Sequence, residues 1–128
     1  MILIDTSAWI EFFKARGVIA EQVDHALLKN DAALCGPVLT EIHRGIRPKE
    51  RKRVLPLLKG CHWLEQPEQL WQEAGDLGYF LRRKGASVKT IDLLIATYAL
   101  AHTIPLLTTD ADFTAIRKAG LGLELVPL

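Results

Sequence analysis

Five carboxylates lie either directly after an apolar run or early in a predicted helix. They are Asp5, Glu41, Asp92, Asp110 and Asp112. Acids brought together with little positive charge among them repel one another unless a cation joins them, and hard oxygen ligands favour Mg²⁺ or Mn²⁺ over zinc. A Mg²⁺ ion held in this way lowers the pKa of a water ligand and stabilises the charge of a phosphorane-like transition state. The donor set therefore predicts phosphodiester hydrolysis, provided that the fold brings these acids together.

Each acid also has a purely structural interpretation. Asp110 could only cap a helix, Asp92 could complement a helix dipole, and Glu41 could be a solvated helix residue. Asp92 fits the structural interpretation least well, because it precedes the apolar segment 93–96 and is expected to be half buried. A buried carboxylate needs a partner, and we expect no lysine or arginine on the helical face that Asp92 occupies. Asp5 is also expected to be buried and to need a partner, since it lies directly against an apolar strand.

The elements that position these acids are short apolar runs alternating with helical patterns. Such alternation, with strands that are apolar throughout, predicts an α/β fold in which helices cover both faces of a parallel sheet. Ligands bind beyond the carboxyl ends of the strands in such sheets, which is where most of the acids fall. Five strands are predicted, at 1–4, 32–35, 61–64, 104–108 and 123–126. Helices are predicted at 8–14, 18–30, from 36, in part of 44–59, from 67 to 84, from a Thr90 cap to 102, and at 110–119.

The bulk composition fits one globular domain, residues 1–128, with an ordinary charged content. Its net charge of +1 is too close to zero to indicate a nucleic-acid binder by itself. We expect no signal peptide and no membrane span, since a span needs about 20 apolar residues, and hence a cytoplasmic protein. Cys35 and Cys61 are expected to be buried free thiols, although a pairing between adjacent strands stays open.

Four segments together resemble the PIN-domain ribonucleases, and among them the VapC-type toxins. They are DTSAWI at 5–10, LTEI at 39–42, DLLIA at 92–96 and TTDADF at 108–113. The resemblance covers the whole chain, with the motifs in the family's order. It implies a five-stranded parallel sheet between helices, Mg²⁺ or Mn²⁺ dependence and endonucleolytic cleavage of RNA. It also implies a homodimer and inhibition by a small cognate antitoxin.

The resemblance assigns roles to individual residues. The metal-binding and catalytic acids would be Asp5, Glu41, Asp92 and Asp110, and Asp112 would be a fifth catalytic acid that holds a metal-bound water. Ser7 and Thr109 would supply hydroxyls that hydrogen-bond a carboxylate or a water.

A basic stretch begins one helical turn after Glu41. Its arginines Arg44, Arg47, Arg51 and Arg53 could contact RNA phosphates, or the stretch could be a solvated helix face. A second basic group, 82–84 with Lys89, is explained adequately by a preference for cations at a helix C-terminus. Apolar packing is expected for the aromatic residues, which include Trp9, Phe12, Phe13, Trp63 and Trp71.

Three other classes of protein fit the sequence less well. A receiver-type signalling module would need adjacent acids after the first strand and a lysine after the last, and a dehalogenase-like phosphatase would need a second aspartate where Ser7 stands. A non-catalytic RNA- or protein-binding module would not need the complete acidic set. A PIN-domain nuclease of RNA processing, rather than a toxin, stays open as an alternative.

Overall fold

The computed structural model describes residues 1–128 as an alternation of strands and helices. The strands are β1 (Ile2–Ile4), β2 (Ala32–Leu34), β3 (His62–Trp63) and β4 (Leu106–Leu107). The helices are α1 (Thr6–Phe13), α2 (Gly17–Leu28), α3 (Gly36–Gly45), α4 (Pro48–Lys59), α5 (Leu70–Arg83), α6 (Thr90–His102) and α7 (Ala111–Lys118). None of these helices combines the length and the apolar composition that crossing a bilayer requires.

The strands form one sheet in the order β3-β2-β1-β4, and every pair is parallel. Leu3 of β1 pairs with Ala33 of β2 on one side and Leu106 of β4 on the other, so β1 is central. Leu3 and Ile4 have no exposed surface, because helices cover both faces of the sheet. The predicted α/β fold with a parallel sheet between helices is confirmed. The carboxyl ends of β1, β2 and β4 consequently meet at one edge.

The sheet has four strands, and the predicted fifth, 123–126, is reduced to a single bridge. Leu125 pairs with Leu106, Leu106 N donates to Glu124 O, and Val126 N donates to Leu106 O.

Several helix boundaries differ from the predicted ones for local reasons. The first helix begins at Thr6, because Asp5 caps it. The basic stretch 44–59 divides at Arg47, whose ψ of 149° is extended, since the residue before a proline is disfavoured in the helical region. The long helix begins at Leu70, after a turn in which Leu70 N donates to Pro67 O. Thr90 is the first helical residue of α6, and Lys89 takes the cap position predicted for it.

Packing in the core was predicted wrongly for two of the tryptophans. Trp9 has no exposed surface, whereas Trp63 is 56% exposed and Trp71 is 63% exposed. Trp63 lies on the edge strand β3, both residues of which are exposed. Trp71 follows Leu70 by one position, or about 100° of helix turn, so it faces solvent while Leu70 faces the core.

The two cysteines are free. Cys35 directly follows β2 and Cys61 directly precedes β3, and because these strands are parallel neighbours the thiols lie toward opposite edges of the sheet. The alternative of a disulfide is therefore excluded. Burial raises the pKa of the Cys35 thiol to about 12, so this thiol stays protonated and unreactive at neutral pH.

Candidate active site

Asp5 lies at the carboxyl end of the central strand and is only 3% exposed. Its Oδ2 accepts hydrogen bonds from Ser7 Oγ at 2.6 Å, from Thr108 Oγ1 at 2.8 Å and from Ser7 N at 3.4 Å. The bond from Ser7 N is a helix cap, so Asp5 also begins α1. A buried carboxylate with this many donors at one oxygen is fixed in orientation, and its burial is compensated without a basic side chain.

The hydroxyl donor from the end of β4 is Thr108, whereas Thr109 was predicted. Thr109 contributes its backbone N–H, which donates to Ser7 Oγ at 3.0 Å, and its own hydroxyl makes no hydrogen bond. Successive side chains after a strand point to opposite sides, and no sequence signal indicates which of two adjacent threonines points inward. Thr108 Oγ1 also accepts from Asp110 N at 3.0 Å and so links Asp5 to the next acid.

Asp92, Asp110 and Asp112 form an acidic trio. One carboxylate oxygen from each lies within 4.8 Å of the other two, a spacing that a shared metal ion would bridge. Asp92 is in the first turn of α6 and is 4% exposed. Asp110 caps α7, and its Oδ1 accepts from Asp112 N at 2.9 Å. The capping interpretation of Asp110 is thus correct, and it coexists with membership of the trio.

Lys89 lies among the three acids, contrary to the expectation that Asp92 has no basic neighbour. Its Nζ is 3.1 Å from Asp112 Oδ2 and 3.3 Å from Oδ2 of both Asp92 and Asp110. Its backbone N–H also donates to Asp112 Oδ2 at 3.3 Å. The sequence did carry a signal for this contact, because residues three apart at a helix start share a face. The helix-C-terminus explanation does not apply to Lys89, which precedes a helix.

The electrostatics of the trio are uneven. Burial, and then the neighbouring carboxylates Asp112 and Asp110, raise the pKa of Asp92 to about 7, against the lowering effect of Lys89. Partial burial acts to raise the pKa of Asp112, but its contacts with Asp92 and Lys89 outweigh burial and hold it below its usual value. The contacts with Asp112, Asp110 and Asp92 raise the pKa of Lys89. At neutral pH the site therefore carries excess negative charge that a divalent cation would compensate.

The residues present fit a divalent metal ion. Asp92 Oδ2 is buried and accepts no hydrogen bond, so a cation has to compensate its charge, and the only one beside it is the exposed ammonium of Lys89 at 3.3 Å. The trio offers only carboxylate oxygens, the ligands that Mg²⁺ and Mn²⁺ prefer.

Glu41 lies beside the trio rather than within it. It is on α3, after β2, and its Oε1 accepts from Thr6 Oγ1 at 2.6 Å. It lines a groove of about 430 Å³ between α1, α3 and the start of α4. Asp5 also stays outside the 4.8 Å spacing of the trio. The five predicted acids thus fall into the trio and two hydrogen-bonded groups, one at Asp5 and one at Glu41.

The family of this chain follows from comparison with known sequences. Residues 2–119 match the sequence model of the PIN domain. The chain belongs to the PIN-domain family. It is 36% identical, over 124 residues and 92% of both chains, to Ribonuclease VapC11 of Mycobacterium tuberculosis, and to the same extent to VapC ribonuclease Mb1587 of Mycobacterium bovis. The resemblance to VapC-type PIN domains is thereby confirmed.

Solved structures resemble this PIN domain over nearly its full length. VapBC-1 from nontypeable Haemophilus influenzae is 25% identical with a TM-score of 0.74, and 98% of this chain and 97% of that chain are covered. DNA-bound VapBC from Salmonella typhimurium has a TM-score of 0.76 at 19% identity, covering 98% and 96% of the two chains. FitAcB from Neisseria gonorrhoeae has a TM-score of 0.73 at 20% identity, covering 99% and 97%. The likeness to the last two is evidence for the fold alone.

The arginines of the PIN domain that were predicted to bind RNA are all exposed, but they differ in their contacts. Arg53 forms an ion pair with Glu50 at 2.9 Å and lies over the Phe12 ring at 5.8 Å. Arg51 donates to His43 O at 3.4 Å. Arg44 and Arg47 form no ion pair or side-chain hydrogen bond, and Arg47 lines the groove that also contains Glu41. Arg44 and Arg47 are therefore the freest of the four to bind a phosphate.

Proposed function

We propose that this PIN domain is a metal-dependent endoribonuclease that hydrolyses RNA phosphodiester bonds with Mg²⁺ or Mn²⁺. The observation that carries the proposal is the acidic trio, in which the buried Asp92 Oδ2 accepts no hydrogen bond and has only an ion pair with the exposed ammonium of Lys89. The trio lies at the carboxyl edge of the sheet, where ligands bind in open α/β folds. The names of the curated relatives, which are ribonucleases, support the choice of RNA as the substrate.

Each acid has a distinct part in this proposal. Asp92 and Asp110 would hold the ion, and Asp5 and Glu41 would complete the acidic set around it. Asp112 would accept a proton or hold a water beside the ion. The ion would supply Lewis-acid activation of water and would stabilise the charge that develops on phosphorus.

The hydroxyl groups would keep the acids in position during the reaction. Ser7 and Thr108 hold Oδ2 of Asp5, and Thr6 holds Oε1 of Glu41. These bonds fix the carboxylates before substrate arrives, so less reorganisation is needed when the charge of the transition state develops. RNA would approach over Arg44 and Arg47, whose guanidinium groups are exposed and not otherwise engaged.

We further propose that the protein is the toxin of a type II toxin–antitoxin pair and that it forms a homodimer. Structures named VapBC, including a toxin–antitoxin system of M. tuberculosis, share its fold at 25% identity. Growth arrest on expression without a partner, abolished by Asp5→Asn, would support the toxin role over a role in RNA processing. Harmless high-level expression of active enzyme would contradict the toxin role and leave the nuclease activity standing.

The nuclease activity is tested with purified protein and single-stranded RNA, in Mg²⁺ or Mn²⁺ and in EDTA. We expect cleavage only with metal, and products with 5′-phosphate and 3′-hydroxyl ends, because an activated water and not the ribose 2′-hydroxyl is the nucleophile. Asp92→Asn serves as the matched inactive protein, and a contaminating nuclease would survive that substitution. Cyclic 2′,3′-phosphate ends, or full activity in EDTA, would contradict the proposal.

A further inference from the structure

The position of Lys89 within the acidic trio is unusual for an exposed lysine. Its ammonium contacts one oxygen of each acid, all within 3.1–3.3 Å. The side chain is 63% exposed, so nothing but the three carboxylates holds it there. The contact of its backbone N–H with Asp112 places the start of the side chain beside the trio whatever the ammonium does.

The ammonium and a metal ion would compete for the same oxygens. An ion bound to Oδ2 of Asp92 and Asp110 would lie close to Nζ, which is 3.3 Å from both of these oxygens. Two cations so close together repel strongly in a partly buried site. Because the lysine side chain is flexible and mostly exposed, it can move into solvent when the ion arrives.

We propose that Lys89 is an internal counter-ion of the metal-free site, which a divalent cation has to displace from Asp92, Asp110 and Asp112 in order to bind. This inference rests on the proposed metal dependence. In the absence of metal, the positive charge of Lys89 offsets the mutual repulsion of the three carboxylates and holds them close to one another. In doing so it lowers the affinity for the ion, so that Lys89 sets the concentration of metal at which the site fills.

The inference is tested by titrating the purified protein with Mn²⁺ in a calorimeter, without RNA. We expect Lys89→Met to lower the Kd for Mn²⁺ roughly tenfold, since the metal-free state of this variant lacks three ion pairs. Lys89→Gln is a second neutral variant with the same expectation. Lys89→Arg retains a cation that binds carboxylates, so its Kd should equal or exceed that of the wild type.

Thermal melting supplies an independent measure. Lys89→Met should melt a few degrees lower than wild type in EDTA, and the difference should disappear in saturating Mn²⁺, where Lys89 is displaced in the wild type as well. Lys29→Met is the matched control, because Lys29 is exposed at the C-terminus of α2, before β2, and forms no ion pair. It should change neither the Kd nor the difference between the two melting conditions.

The outcomes separate the two proposals. If wild type and Lys89→Met bind Mn²⁺ equally, or if Lys89→Met binds it more weakly, the role of Lys89 is wrong and the metal site stands. If neither protein binds Mn²⁺ or Mg²⁺, the metal dependence is wrong, and the role of Lys89 is wrong with it. Equal effects of Lys89→Met and Lys29→Met would also overturn the inference, since they would reflect net charge alone.

Discussion

The hydroxyl of Thr108 donates a 2.8 Å hydrogen bond to Oδ2 of Asp5 and thereby joins the carboxyl ends of two neighbouring strands. The same hydroxyl oxygen accepts from the backbone of Asp110. One short side chain thus holds two of the proposed catalytic acids in register, and it lies next to a threonine whose hydroxyl makes no such bond.

Thr108→Val should therefore impair the protein in a way that Thr109→Val does not. The first substitution leaves Asp110 N and one lone pair of Asp5 without a partner, which lowers the free energy of unfolding by about 1–3 kcal/mol. It should also reduce RNA cleavage, since Asp5 then has one hydroxyl donor fewer. Thr109→Val keeps the backbone donor and should change stability by less than about 0.5 kcal/mol. Equal effects of the two substitutions, in urea unfolding and in cleavage, would contradict this assignment.

Asp110 should show a separable structural and chemical role. Asn caps helices about as well as Asp, whereas Ala does not, so Asp110→Ala should lower the free energy of unfolding by about 1 kcal/mol relative to Asp110→Asn. Both variants should be equally deficient in cleavage, because neither retains the charge that holds a cation. Urea unfolding and a cleavage assay on the pair would check this. If Asp110→Asn cleaves RNA, Asp110 serves only as a helix cap and not in catalysis.

The stability of the metal-free protein should depend on pH through Asp92. Its pKa of about 7 in the folded protein is above the ordinary 3.8, so the stability that this carboxyl contributes is complete below about pH 4 and is lost as the pH rises through 7. Asp92→Asn does not titrate. In EDTA it should therefore melt higher than wild type at pH 8, by at least a few degrees, and the gap should shrink at pH 5.

Two further conditions make that measurement specific. In Mg²⁺ the difference in melting temperature between Asp92→Asn and wild type should become smaller or change sign, because the wild type is stabilised more by binding the ion. Asp24→Asn, a change at an exposed aspartate of α2, is the control for the loss of one negative charge. A pH-independent offset for Asp92→Asn would mean that its carboxyl is charged throughout and that the site is built differently.

The basic stretch should divide into two functional halves. Arg44→Gln with Arg47→Gln should weaken RNA binding and reduce the slope of log K against log salt by roughly 0.7 for each phosphate that is no longer neutralised. Arg51→Gln with Arg53→Gln should change the slope less, since Arg53 already pairs with Glu50 and Phe12. The second pair should instead lower the melting temperature slightly. Fluorescence anisotropy at several salt concentrations, with inactive Asp92→Asn as the background, measures both slopes. If neither double variant changes the slope, the whole stretch is a solvated surface. If both reduce the slope equally, the stretch does not divide into two halves.

The order of elements was predictable from the sequence because buried parallel strands are apolar throughout, as 1–4 and 32–35 are. Asp5, Glu41 and Asp110 were predictable because each follows a strand whose carboxyl end lies at one edge of the sheet, and Asp92 because a carboxylate is expected to be unfavourable in so apolar a helix. The exact ends of the helices were harder to predict. The start of α1 depends on a cap by Asp5, and the division at Arg47 depends on the restriction that Pro48 imposes, both of which act over one or two residues.

Several contacts that depend on side-chain direction were not predicted. Thr108 and Thr109 are identical in type, and only the strand geometry assigns the inward position to one of them. Trp63 is apolar, but it belongs to a strand at the sheet edge, and no local pattern reveals the order of strands. Lys89 was not predicted at the site because the helix was expected to begin with a threonine cap rather than with the lysine itself.

The shortness of the outer strands has a consequence for the protein on its own. An edge strand with free N–H and C=O groups can recruit a strand from another molecule, and long edges therefore favour aggregation. Here β3 has two residues at one side, and the other side ends in the single bridge at Leu125 followed by Pro127. Neither edge offers a row of backbone groups long enough to extend the sheet. The isolated chain is therefore not expected to aggregate by intermolecular strand pairing.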